Sequence, residues 1–207
     1  MEKNIIPVET HPLEPFLPEG AKVLMLGSFP PSRKRWSMDF FYPNWINDMW
    51  RIVGHVFYGD RDHFVAGSSS AGRKPEKRFD KDRIVEFCTS RGIALYDTAC
   101  EVRRLQDNAS DKFLEVVKAT DISALLEEIP ECAAIVTTGQ KATDVIVGAF
   151  GCEEPAVGSY TEVNIPGQNS TRSIRFWRMP SSSRAYPLAL EKKAEYYRKM
   201  FEKENIV

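Results

Sequence analysis

The chain is poor in the features that usually announce a function. It has almost no net charge: 28 Lys and Arg against 29 Asp and Glu in 207 residues leave -1 at pH 7. No whole-molecule field therefore draws it to a polyanion, and any contact with nucleic acid must come from a local patch. It has no apolar run near the ~18 residues that a membrane span needs. Met1-Glu2-Lys3-Asn4 leads into no signal-type stretch, so a soluble, cytoplasmic protein is expected. Cysteine is scarce, and Cys88, Cys100, Cys132 and Cys152 lie too far apart for a paired zinc pattern or a compact iron–sulfur motif. They read as free thiols. The three histidines, His11, His55 and His63, fit no metal or triad spacing and read as ordinary surface or packing residues. Neither a metal nor an organic cofactor is expected.

What is present is a 43% hydrophobic chain, enough to build the core of one domain over residues 1–207. Residues 1–20, with Pro7, Pro12, Pro15 and Pro18, read as an extended lead-in. Residues 22–27 form an apolar run ending at Gly27, the pattern of a buried parallel strand entering a loop. Residues 44–57 read as a helix, with Ile46, Met49, Trp50, Val53 and Val56 on one face. The Gly-, Ser-, Lys- and Arg-rich stretch 67–80 reads as a mobile surface loop before a helix at 81–91. Then come a strand at 93–98, helical segments around 111–118 and 122–128, a strand at 133–138 and a helix at 140–150. Segments 160–165 and 173–179 flank a turn, as a hairpin or as an edge strand beside the last core strand, and a helix at 188–204 closes the chain. Alternating strands and helices imply parallel pairing with right-handed crossovers. The expected product is a three-layer α/β/α sandwich around a mainly parallel sheet of four or five strands, with no internal repeat and no second core.

In such a sheet ligands bind beyond the carboxyl ends of the strands, which directs attention to the loops beginning at Gly27, Asp97, Thr138 and Pro180. Gly27-Ser28-Phe29-Pro30-Pro31-Ser32 combines a glycine that permits close approach with two stiffening prolines. It is followed by Phe40-Phe41-Tyr42-Pro43-Asn44-Trp45-Ile46-Asn47-Asp48-Met49-Trp50, which is either core aromatics with Asn44 as a helix cap or the wall of a site. Pro180-Ser181-Ser182-Ser183-Arg184 offers hydroxyls and a guanidinium suited to phosphate, or is a plain strand-to-helix cap. Asp97 is a candidate ligand-binding group or general base, with helix capping or a loop hydrogen bond as the alternative. Lys74, Lys77, Arg78, Lys81 and Arg83 either add salt-dependent affinity or form a solvated face.

Taken in order, these segments resemble the uracil-DNA glycosylase superfamily. Its members carry a Gly-Ser-Phe-Pro-Gly-type loop after the first strand, an aromatic segment ending Asn-x-Phe-Trp, and a late His-Pro-Ser or Leu-Pro-Ser loop. Gly27-Ser28-Phe29-Pro30-Pro31, Asn47-Asp48-Met49-Trp50 and Met179-Pro180-Ser181 are similar to these, and residues 93–98 and 138–142 to the intervening segments. The likeness runs from Val23 to Arg184 and is nearest to the branch of hypoxanthine-DNA (deoxyinosine) glycosylases, related to the mismatch-specific uracil enzymes.

The resemblance implies a monofunctional DNA N-glycosylase of base-excision repair, a hydrolase acting as a monomer on duplex DNA with a damaged or mismatched base. It places catalysis on Asn47, a base pocket on Gly27, Ser28, Phe29, Pro30, Phe41, Tyr42 and Asp97, and DNA-backbone contacts on Ser181, Ser182, Ser183 and Arg184. The chain departs from the pattern at Ser28, where other branches place an asparagine or carboxylate, at Pro31, which removes an amide, at Asn44-Trp45-Ile46, where His-Pro-Arg is common, and at Met179. Two alternatives follow: a catalytically silent nucleic-acid-binding protein, or an N-glycosidase of nucleosides or nucleotides.

Overall fold

Three short segments are buried on both faces, and they make the centre of the molecule. In the computed structural model, which describes residues 6–67, 76–106, 111–167 and 171–207, every residue of β2 (Val23–Gly27), β3 (Ile93–Asp97) and β6 (Ala134–Thr137) is buried. Strands without a polar face must be covered on both sides. With β7 (Ser159–Pro166) and β8 (Thr171–Arg178) they form a five-stranded sheet in the order β3-β2-β6-β8-β7. All pairings are parallel except the β7–β8 hairpin, which puts β7 on the edge and β8 in the core. Both readings of this region therefore hold at once.

The helices are α1 (Met49–Tyr58), α2 (Lys81–Arg91), α3 (Ile122–Glu128), α4 (Gln140–Phe150) and α5 (Leu190–Lys203). From β2 the chain steps one way to β3; from β3 it steps back past β2 to β6 and on to β8. Right-handed crossovers then place α1 and α2 on one face and α3 and α4 on the other, and α5 packs against α1. The sheet is the middle of three layers. β2 and β6 are neighbours whose onward connections diverge, so a crevice opens at their carboxyl ends.

Four expectations are corrected. Residues 111–118 are not helical: a 3-10 turn leads into β5 (Leu114–Ala119). The Leu/Glu/Lys composition favours a helix locally, but antiparallel pairing with β4 (Ala99–Arg104) overrides it. β4 also pairs with β1 (Val8–Thr10), giving a second, three-stranded sheet with a small cluster of its own around Phe29, Ala99, Val102 and Leu114. The lead-in is thus extended but not loose, since Phe16 and Leu95 also exchange backbone hydrogen bonds of 3.0 and 2.9 Å. The helix expected over 44–57 begins only at Met49. Asn44 caps no helix; its Oδ1 accepts from the Ile46 amide at 3.2 Å, a local turn that competes with helix. Finally, the stretch 67–80 is not all surface loop: residues 68–75, Lys74 among them, lie outside the described residues, but Phe79 is 1% exposed and bridges to Val65.

Candidate active site

The site begins with a register. β2 and β3 pair so that Gly27 lies beside Asp97, and a side chain at position 27 would run into Asp97 Oδ1. The glycine lets the carboxylate lie across the end of β2. At the end of β6 the Thr138 amide donates to the Leu26 carbonyl at 3.1 Å, and its Oγ1 hydrogen-bonds the Tyr42 phenol at 3.0 Å. Tyr42 has φ 50, a left-handed backbone rarely adopted by a non-glycine residue. Burial pushes its phenol up, so it remains a neutral hydroxyl.

All four loops meet at one cavity of about 750 Å³. Gly27, Ser28, Phe29, Pro30, Phe41, Tyr42, Asn47, Asp97, Ser181, Ser182, Ser183 and Arg184 all line it. Phe41 answers to both of its readings: it is 3% exposed, packs edge-on against Phe40 and Tyr96, and still presents surface to the cavity.

Asn47 is held from three directions. Its Oδ1 accepts from the Met49 amide, the first of α1, at 2.8 Å. Its backbone bridges to Ser183 in the late loop. Its carbonyl accepts from Arg51 Nη1 at 3.3 Å. Arg51 is itself 3% exposed, lies over Trp45 at 4.2 Å and Phe79 at 5.0 Å, and donates to the Trp45 carbonyl at 3.0 Å. With one lone pair of Oδ1 engaged by Met49, the Nδ2 hydrogens are the groups Asn47 has left to donate. It can hold a water or carbonyl oxygen but cannot take a proton.

The late loop is supported from below by α5. Lys193, buried and pushed down by that burial, donates to the Ser183 carbonyl at 2.7 Å, and Tyr197 donates to the Pro180 carbonyl at 3.0 Å. Ser181 Oγ accepts from the Ser183 amide and Ser183 Oγ from the Ala185 amide, each at 3.2 Å. Ser182 is 2% exposed, its carbonyl accepting from the Asp48 amide at 2.9 Å. Arg184 donates to Asp48 Oδ1 at 2.7 Å. Ser181, Ser183 and Arg184 keep exposed atoms for a ligand; the Ser182 side chain faces inward.

Three site residues escaped the sequence reading. His11, read as ordinary packing, brings Nε2 within 2.9 Å of Asp97 Oδ2. Arg104 lines the cavity and is held in a fork by Glu9, with both contacts at 3.0 Å. Arg35 also lines it, with a buried Nε that finds no hydrogen-bond partner among the described residues. No local signal marks any of them; the usable hint is that charged or titratable residues stand in segments otherwise rich in proline or β-structure.

Among the described residues no group of three His, Cys, Asp or Glu side chains is placed to hold a metal ion. The four cysteines are free. No described helix is long and apolar enough to cross a membrane.

A doubly wound α/β sheet with a crevice where its connections diverge is a ligand-binding architecture. The particular fold is similar to the solution NMR structure of a candidate uracil DNA glycosylase from Methanosarcina acetivorans, with 19% sequence identity and a TM-score of 0.59 over 96% of this chain and 99% of that one. No protein-family model matches the chain, and no curated protein does. The architecture is that of the uracil-DNA glycosylase-like fold.

Proposed function

We propose that the protein is a monofunctional DNA glycosylase that hydrolyses the N-glycosidic bond of a deaminated base, uracil or hypoxanthine, flipped out of duplex DNA. The observation that carries this reading is the meeting of Asn47, Asp97, the Gly27–Pro31 loop and the late serine loop at one cavity in this fold. Cleavage places positive charge on the sugar and negative charge on the departing base, so a site accelerates it with fixed dipoles aimed at the base oxygens. The amides of Ser28, Phe29 and Ser32 are the available dipoles of the first loop, since Pro30 and Pro31 have none. Asn47 Nδ2 holds the attacking water by its oxygen. Ser181, Ser183 and Arg184 meet the flanking phosphates, which fixes position without reading sequence. Flipping costs a few kcal/mol, least for a mispaired base, and a face of Phe41 or Tyr42 offsets part of it by stacking.

Incubation with duplexes carrying uracil, hypoxanthine or mismatched thymine, followed by alkaline cleavage, tests the proposal: abasic product from a deaminated base is expected. Its absence with every duplex, with DNA still retained at low salt, would leave the silent-binder reading. Asn47→Ala is expected to lower single-turnover release about 100-fold while sparing duplex binding. A second reading is an N-glycosidase of nucleosides or nucleotides, favoured by the net charge of -1 and by the engagement of Arg184 with Asp48. Base release from a mononucleotide pool, with none from duplex, would select it.

A further inference from the structure

The cavity wall next to the small sheet carries two arginines, Arg35 and Arg104. The Arg104 side chain is 7% exposed. Its Nε and Nη2 hold Glu9, and Nη2 also donates to the Pro30 carbonyl at 3.0 Å, which leaves Nη1 without a partner among the described residues. Arg35 stands beside the same loop, its amide donating to the Ser32 carbonyl at 2.9 Å. The Arg35 guanidinium makes no hydrogen bond or ion pair among the described residues, and its Nε is buried. The loop has little to offer it: the Pro31 carbonyl accepts from Trp36 Nε1 at 2.7 Å, so the carbonyls of residues 30, 31 and 32 are each engaged by a donor. The charges adjacent in the chain are balanced, Arg33 by Asp39 and Arg103 by Glu115, and Glu9 answers Arg104. Arg35 carries a surplus charge.

We infer that Arg35 and Arg104 form an anion subsite, which takes a phosphate ester of the nucleotide whose base enters the cavity. A buried donor without an acceptor is costly unless its partner arrives with a ligand, and a guanidinium fork matches two phosphate oxygens at once. Pro30 and Pro31 have no N–H, so this stretch of wall lacks the amides that hold anions elsewhere, and the cations stand in their place. The late loop cannot supply the same charge, because its one arginine is committed to Asp48. A base carbonyl fits less well, since a neutral oxygen leaves the surplus charge unbalanced. The one carboxyl group among the lining residues, Asp97, lies beside Gly27, which turns the negative end of a ligand toward the arginines. At about 750 Å³ the cavity has room for a nucleotide rather than a bare ring. The inference rests on the glycosylase reading for the base that accompanies the phosphate, and it adds the side chains that meet the charge. A strand phosphodiester and the terminal group of a free nucleotide present the same chemistry.

Ligands that cannot be cleaved test the subsite apart from any reaction. The full chain is titrated by calorimetry with 2′-deoxypseudouridine, whose carbon–carbon glycosidic bond resists hydrolysis, with its 3′- and 5′-monophosphates, and with the trinucleotide that carries it between two thymidines. A phosphate-bearing ligand is expected to bind at least about tenfold tighter than the nucleoside. Arg35→Gln, which has no protein contact to lose, should cut that advantage below about threefold, and Arg104→Gln should act in the same direction, with circular dichroism reporting the fold. Arg33→Gln, at an exposed residue paired with Asp39, should leave it intact. A trinucleotide that keeps the advantage assigns the subsite to a strand phosphate; an advantage confined to a monophosphate assigns it to a free nucleotide. A wild-type protein that gains nothing from phosphate, or binds none of the ligands, overturns the inference. So does a folded Arg35→Gln or Arg104→Gln protein with the wild-type ratio. Base release from duplexes reports separately on the glycosylase reading, which can fail while the phosphate advantage stands.

Discussion

The two sides of the cavity are built on opposite plans. On the β3 side a charged group is aimed by side chains: Asp97 is set by His11, and His11 by Leu13 and three aromatic rings. On the α1 side the polar groups are spent largely on holding the backbone in place: Asn47 accepts from the Met49 amide, Ser181 and Ser183 serve neighbouring amides, and Arg184 pairs with Asp48. The first side leaves one carboxylate oxygen without a hydrogen-bond partner among the described residues, in a nearly dry wall where hydrogen bonds are electrostatically stronger than in water. The second leaves donors at a wetter rim, suited to a phosphate backbone that varies little from site to site. A buried acceptor and exposed donors are thus separated within one pocket.

Substitutions on each side should fail in different ways. The largest effect is expected from Arg51→Met. It removes a buried guanidinium that lies against both Trp45 and Phe79 and strands the Trp45 and Asn47 carbonyls, so urea unfolding should show about 3 kcal/mol lost. A loss below about 1 kcal/mol would show that the α1 side does not depend on this cation.

Gly27→Ala drives a methyl into Asp97 Oδ1. A displacement of this kind should lower single-turnover base release about 100-fold, with circular dichroism reporting an intact fold. Undiminished release would detach Asp97 from the reaction.

Alkaline titration reads the buried phenols. Tyr42 and Tyr197 are held above their ordinary value of 10.0 by burial. The folded state therefore keeps protons that the unfolded chain releases, and their contribution is complete below pH 10 and lost as the pH rises beyond it. Stability should fall by about 1.4 kcal/mol per pH unit for each phenol, and Tyr42→Phe should flatten the slope; an unchanged slope would remove Tyr42 from the account. The smallest effect belongs to Arg184 and Asp48, whose side chains are 43% and 9% exposed. A double-mutant cycle should give a coupling of about 1 kcal/mol or less, weakened by salt.

How much of this was legible depended on how far apart the interacting residues lie. β2, β3 and β6 declare themselves because burial on both faces forces continuous apolar runs. The four loops follow from them, since topology alone brings strand ends together. β5 was hidden because the Leu, Glu, Lys and Ala of Leu114–Ala119 suit a helix, and because β4 just before it, with alternating charged residues, does not declare itself as the strand it pairs with. Ser181, Ser182 and Ser183 look alike in sequence, yet one points inward; nothing local distinguishes them. The start of α1 was misplaced because Asn44 and Asn47 both make short-range turn bonds and both precede the helix, which begins at Met49. His11 was unreadable in principle: its meaning is conferred by Asp97, and the chain between them must fold first.

The small β1-β4-β5 sheet has a practical side. It fastens the segment before β2 so that His11, whose amide donates to the Cys100 carbonyl at 2.7 Å, arrives at the inner wall in a fixed orientation. Trimming an expression fragment back to the first core strand would spare the five-stranded sheet and its helices. It would also remove the partner that aims the carboxylate. A shortened protein of that kind should still melt cooperatively while its cavity wall is altered, so tests of the proposed activity belong on protein that keeps these first residues.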